Sequence, residues 1–162
     1  IREQKGEILS ETFETSVELP MDAYIPATYV KNEFTKLELF KRIAQIGDED
    51  VLSDMQDELT DRFGDMPESV GHLLELALLK AKAHAAYITE IKMEGAELYF
   101  VMYPKAKVAV ERIDAFMKSY HGKMRMSVTK APTFILKGVQ GGRAEWLTCV
   151  ERVINDIQLL IE

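Results

Sequence analysis

A chain of 162 residues, 47% hydrophobic and 29% charged, is long enough to bury roughly two thirds of its unfolded surface in one core or to split into two small units. Charge interrupts its apolar stretches well short of the ~20 residues that cross a bilayer, and the N-terminus lacks a basic-then-apolar signal pattern, so neither a membrane nor a secreted protein is expected and a cytoplasmic one is. The single cysteine, Cys149, rules out an internal disulfide framework and a cysteine metal site, and its place beside Val150 and Val153 predicts a core position; the net charge of −7 argues against generic affinity for nucleic acid.

The chain opens on Ile1, and nothing in its first thirty residues promises to close a core, which suggests a piece of a larger protein. Pro20 and Pro26 fix φ and lack a donor, so residues 1–31 are expected as short extended pieces forming a linker that docks. Asn32 is placed to cap a first helix, with Leu39, Ile43 and Ile46 at helical spacing and Gly47 as its stop. Asp48 caps a second helix with the stripe Leu52, Met55, Leu59 and Phe63, closed by Gly64. Pro67 opens a third, whose Val70, Leu73, Leu74, Ala77, Leu78 and Ala81 leave so little polar face that it should be central.

After Tyr87 the period changes from helical to alternating. Ile91 and Met93 form one strand and Leu98 to Tyr103 the next, joined by Glu94-Gly95-Ala96. A helix with Val110, Ile113, Phe116, Met117 and Tyr120 follows and ends at Gly122. Then come a strand with Met124, Met126 and Val128, a turn at Lys130-Ala131-Pro132, a strand over 134–139, and a last helix that carries Trp146, Leu147, Val150, Val153, Ile154, Ile157 and Ile161. The expected fold is α+β: a three-helix unit over 32–87, then a ββαββα unit over 88–162 with a mainly antiparallel four-stranded sheet and helices on one face.

No enzymatic constellation is evident. Gly138, Gly141 and Gly142 lie between a strand and a helix, but Arg143-Ala144-Glu145 replaces the lysine and hydroxyl of a phosphate loop. His72, His84 and His121 have no metal-ligand spacing and are expected on helix surfaces or turns. No catalytic residue, cofactor or metal is expected in this chain.

Charge is distributed unevenly. Nine acidic residues stand between Asp48 and Glu68 against one base, Arg62. Asp50, Asp54, Asp57 and Asp61 step by four, three and four, with Glu58 four after Asp54, so they share one side of the second helix opposite its apolar stripe. Like charges at these spacings cost about 0.2–0.5 kcal/mol per pair, offset locally only by Arg62. Such a side is either a solvated surface or a contact for a basic partner. Residues 99–143 have the opposite balance, nine Lys/Arg against Glu111 and Asp114, with Tyr99, Phe100, Tyr103, Phe116 and Tyr120 among them. Aromatic and basic residues interleave in this way on single-strand-binding sheets. Phe100 and Phe116, however, fit core periodicities, so DNA binding is the alternative and not the preferred reading.

Three segments carry a family resemblance: Leu19-Pro20 with Asp22-Ala23-Tyr24-Ile25-Pro26, Leu39-Phe40-Lys41-Arg42-Ile43-Ala44, and Glu58-Leu59-Thr60-Asp61-Arg62-Phe63-Gly64 with Pro67. In order and spacing the chain resembles the C-terminal domain of bacterial transcription-repair coupling factor, a DNA translocase that removes stalled RNA polymerase. Beyond residue 88 the likeness rests on element order and on Glu145-Trp146-Leu147, and Thr60 stands where an apolar residue is common. The resemblance implies that residues 1 to about 18 are the tail of a motor module and that 32–162 are a noncatalytic regulatory domain of a parent using ATP and Mg. It further implies that this domain packs on a UvrB-like N-terminal module, hiding the surface that recruits UvrA and restraining the motor until polymerase engages. Glu58 and Asp61 fall on family positions that meet an arginine of that module. Asp54 and Asp57, beside them, complete the expected contact.

Overall fold

A computed structural model of the protein describes residues 13–128 and 131–162. The expected motor tail before residue 13, and Lys130 at the head of its turn, lie outside the described residues. The described chain divides into two compact units, Pro20–Lys82 and the residues up to Leu19 together with Ala83–Glu162.

The first unit contains helices α1 (Glu33–Ile43), α2 (Glu49–Phe63) and most of α3 (Glu68–Ala85). Both expected caps form. Asn32 Oδ1 accepts from the Phe34 and Thr35 amides at 2.9 and 3.0 Å, and Asp48 Oδ1 accepts from Val51 at 2.9 Å, each satisfying donors that a helix start leaves open. Gly64, at φ 89°, ends α2. The core joins Leu39, Ile43 and Ile46 to Met55, Leu59, Val70, Leu74 and Leu78.

Ile25 and Val30, 1% and 2% exposed, belong to the same core, so the first thirty residues do help to close one. His72, expected on a helix surface, is buried. Its Nδ1 donates to the Asp22 carbonyl at 2.6 Å, while the Tyr24 amide donates to Ser69 O at 3.2 Å. These bonds fasten the proline-rich segment to α3.

The second unit is a mostly antiparallel sheet of β1 (Ser16–Glu18), β2 (Ile88–Glu94), β3 (Glu97–Met102), β4 (Met124–Val128) and β5 (Pro132–Leu136), in the order β1-β2-β3-β5-β4, with α4 (Val110–Lys118) and α5 (Arg143–Gln158). The sheet has five strands and not the expected four. β1 pairs in parallel with β2, Val17 opposite Ile91, and the adjacent Thr15 hydroxyl donates to Ile88 O at 2.7 Å. Three residues among charges give no alternating signal, so this strand exists through its partner.

Leu98, Phe100 and Met102 alternate inward on β3 and are fully buried. On β2 the register shifts between Ile88 and Glu90, so Ile88 and Ile91 are both buried and Met93 only half so. Phe116 of α4 meets Phe134 of β5 edge to face, centroids 4.9 Å apart. Three sequence expectations fail at margins. Val110 starts α4 75% exposed, Met126 and Val128 lie on the edge strand at 37% and 68%, and Cys149 is half-buried outside the core. At the start of α5 the Glu145 carboxylate accepts from the Gly142 amide at 2.9 Å, placing a negative group where a phosphate would have to sit.

Candidate interaction surface

Helix α2 has two sides. Met55 and Leu59 are buried, Leu52 and Phe63 partly so, and Asp54, Asp57 and Asp61 point to solvent. The spacing that puts the first set against the core puts the second on the opposite side. Among the described residues none of these three aspartates forms a hydrogen bond or ion pair, so their mutual repulsion goes unrelieved.

Glu58 behaves differently from the three. Its side chain is 33% exposed and receives a two-pronged contact from Arg42 of α1: Nη2 donates to Oε1 at 2.5 Å and Nη1 to Oε2. Arg62, one turn on, also reaches Oε2 at 3.1 Å. The Arg42 hydrogen bonds above all pull the Glu58 carboxyl down to about 2; burial opposes them, and the Arg62 hydrogen bond and the two guanidinium charges add to the lowering. Arg42 lies sixteen residues earlier on a different helix, so helical spacing along α2 gives no sign of it; Arg42 belongs to the motif Leu39–Ala44, which is where the signal lay.

The end of α2 is held by Tyr29, whose hydroxyl donates to Gly64 O at 2.8 Å and Leu59 O at 3.2 Å and whose ring lies 5.7 Å from that of Phe63. Burial first, and the nearby Asp65 charge second, raise the Tyr29 pKa and keep the hydroxyl a donor. Arg62 lies over the Phe63 ring at 4.9 Å. At the other end Lys82 of α3 bonds Glu49 at 2.7 Å. The four predicted site residues therefore share one helix but separate into two chemistries: Asp54, Asp57 and Asp61 are open carboxylates, and Glu58 is an internal anchor between α1 and α2.

Among the described residues no helix is long and apolar enough to cross a membrane. The TRCF domain model matches residues 19–113, more than half of the chain. The transcription-repair-coupling factor of Staphylococcus haemolyticus is 41% identical over 93 residues, 57% of this chain and 8% of that protein. That of Bacillus subtilis is 30% identical over 112 residues, 68% of this chain and 10% of that protein. The chain thus spans about a tenth of the length of these relatives. A crystal structure of the C-terminal domain of transcription-repair coupling factor superposes with a TM-score of 0.75 at 22% identity, covering 92% of this chain and 94% of that one. At that identity the superposition shows a shared fold, whereas the family model speaks to descent: the chain belongs to the TRCF domain family.

Proposed function

We propose that this chain is the noncatalytic, inhibitory interaction domain of a DNA translocase, docking on a UvrB-like module of the same polypeptide to mask UvrA recruitment and restrain an ATP- and Mg-dependent motor in the cytoplasm. RNA polymerase engagement would release it. The observation that carries this reading is the row Asp54, Asp57 and Asp61, three solvent-facing carboxylates left without an internal counter-charge on a helix whose repulsion a basic partner would relieve. Asp57 and Asp61 are its direct contacts. Glu58 already accepts three guanidinium hydrogen bonds, so an incoming arginine would have to share or displace Arg42, and Glu58 chiefly fixes the helix that presents its neighbours.

The test is Asp57→Lys/Asp61→Lys in the full protein, which reverses two exposed charges and leaves the Arg42–Glu58 anchor intact. Each 1.4 kcal/mol taken from the closed state moves the equilibrium about tenfold. Basal ATP turnover, translocation and UvrA binding should rise together. A folded variant with unchanged basal turnover and unchanged UvrA affinity would overturn the assignment.

A further inference from the structure

The sheet unit contains a cavity of about 320 Å³, within the size range of small-ligand sites. Its lining comes from three places. The turn after α4 gives Tyr120, His121 and Lys123, the end of β5 gives Lys137, and α5 gives Cys149 and Arg152 one turn apart. Leu136 and Val139 add an apolar wall, and no lining residue is acidic in a chain whose net charge is −7. The Lys137 amide donates to Lys123 O at 2.8 Å, so the backbones that bear the two lysines are paired.

Arg152 is positioned as well as charged. Its guanidinium lies 4.5 Å from the Tyr120 ring centroid, Nη2 reaches Ser119 O at 3.4 Å, and Nε is 3.8 Å from Asp156, which also accepts from the Tyr120 hydroxyl at 2.5 Å. Asp156 thus balances part of the Arg152 charge from behind, and Glu97 lies near Lys137. The Arg152 side chain is still 58% exposed. Guanidinium planes stack on nucleobases, and the ammonium group of a lysine suits a phosphate oxygen.

We propose that this cavity binds a nucleoside monophosphate unit, its phosphate between Lys123 and Lys137 and its base on Arg152. The unit would be either a free nucleotide or the 5′-phosphorylated end of a single strand. Cys149, the only cysteine of the chain, lines the cavity and reports its occupancy. The experiment follows alkylation of Cys149 in the 162-residue chain with AMP, with a 5′-phosphorylated oligothymidine, with the same oligomer lacking the phosphate, and with inorganic phosphate, each at millimolar concentration or below. AMP should slow labelling several-fold. Lys123→Ala/Lys137→Ala should weaken that protection at least tenfold, and Arg152→Lys should weaken it for AMP while circular dichroism stays unchanged. Protection by AMP alone identifies a free nucleotide, and protection by the phosphorylated oligomer alone, or by both, identifies a strand end. Equal protection by inorganic phosphate or by the unphosphorylated oligomer, protection insensitive to the lysine substitutions in a folded variant, or none from any probe would overturn the proposal.

Discussion

Glu58 gives the protein a titration with a definite sign. Its folded pKa of about 2 lies below the ordinary glutamate value of about 4.3, so its stabilisation is complete above the latter and fades as pH falls towards the former. The full shift corresponds to ~3 kcal/mol, which solvent screening of a one-third-exposed carboxylate reduces to about 1 kcal/mol. Urea melts should therefore show Glu58→Gln less stable than the parent by that amount at pH 6 and nearly level with it at pH 2; an equal gap at both would refute the pairing. On the same helix, Leu59, 1% exposed, should cost about 2–5 kcal/mol when cut to alanine, whereas Asp57→Ala should leave the melt unchanged or slightly raised. The sides of α2 were legible in sequence because a 3.6-residue period separates them. The role of Glu58 was not, because period says nothing of a partner on another helix.

Among elements, helix ends were the most legible, since Asn32, Asp48 and Gly64 act on backbone groups a few residues away. Periodicity also found every helix among the described residues, but it assigns a shared side without saying where the neighbouring layer stops, which is why Val110 and Val128 emerge into solvent. Strand β1 was illegible for a third reason: its identity depends on a partner more than seventy residues away. The sheet can be tested there. Thr15→Val removes the buried donor to Ile88 O and should cost about 1–3 kcal/mol by denaturant melt, with little change in helical signal. At the head of α5, Gly141 has φ +88°, and a methyl group there would come within 2.8 Å of Glu145 Cγ. Gly141→Ala should lose roughly 1–2 kcal/mol for the left-handed backbone alone, and loss of the Glu145 bond to Gly142 would appear as faster amide exchange at that residue.

For the whole molecule, charge is divided between the units: nine acids against one base over 48–68, and nine bases against two acids over 99–143. If the acidic row docks on a basic module, salt should loosen it, because screening shortens from about 10 Å at 0.1 M to about 3 Å at 1 M. Basal ATP turnover of the full protein should then rise with salt relative to the Asp57→Lys/Asp61→Lys variant, and parallel curves would count against docking. The path of the chain has a further practical consequence. In the chain, Pro20–Lys82 falls after β1 and before β2, neighbours in one sheet, and the family match begins at residue 19, after β1 has ended. A truncated protein begun at that boundary would retain every residue of the helical core yet leave the side of Glu90–Lys92 that β1 covers with open amides and carbonyls. Exposed strand edges recruit other strands. Shortened versions starting at residue 19 should aggregate while versions starting at residue 13 stay monodisperse, which would put the first useful residue of an expressible domain of this chain upstream of where the family model matches.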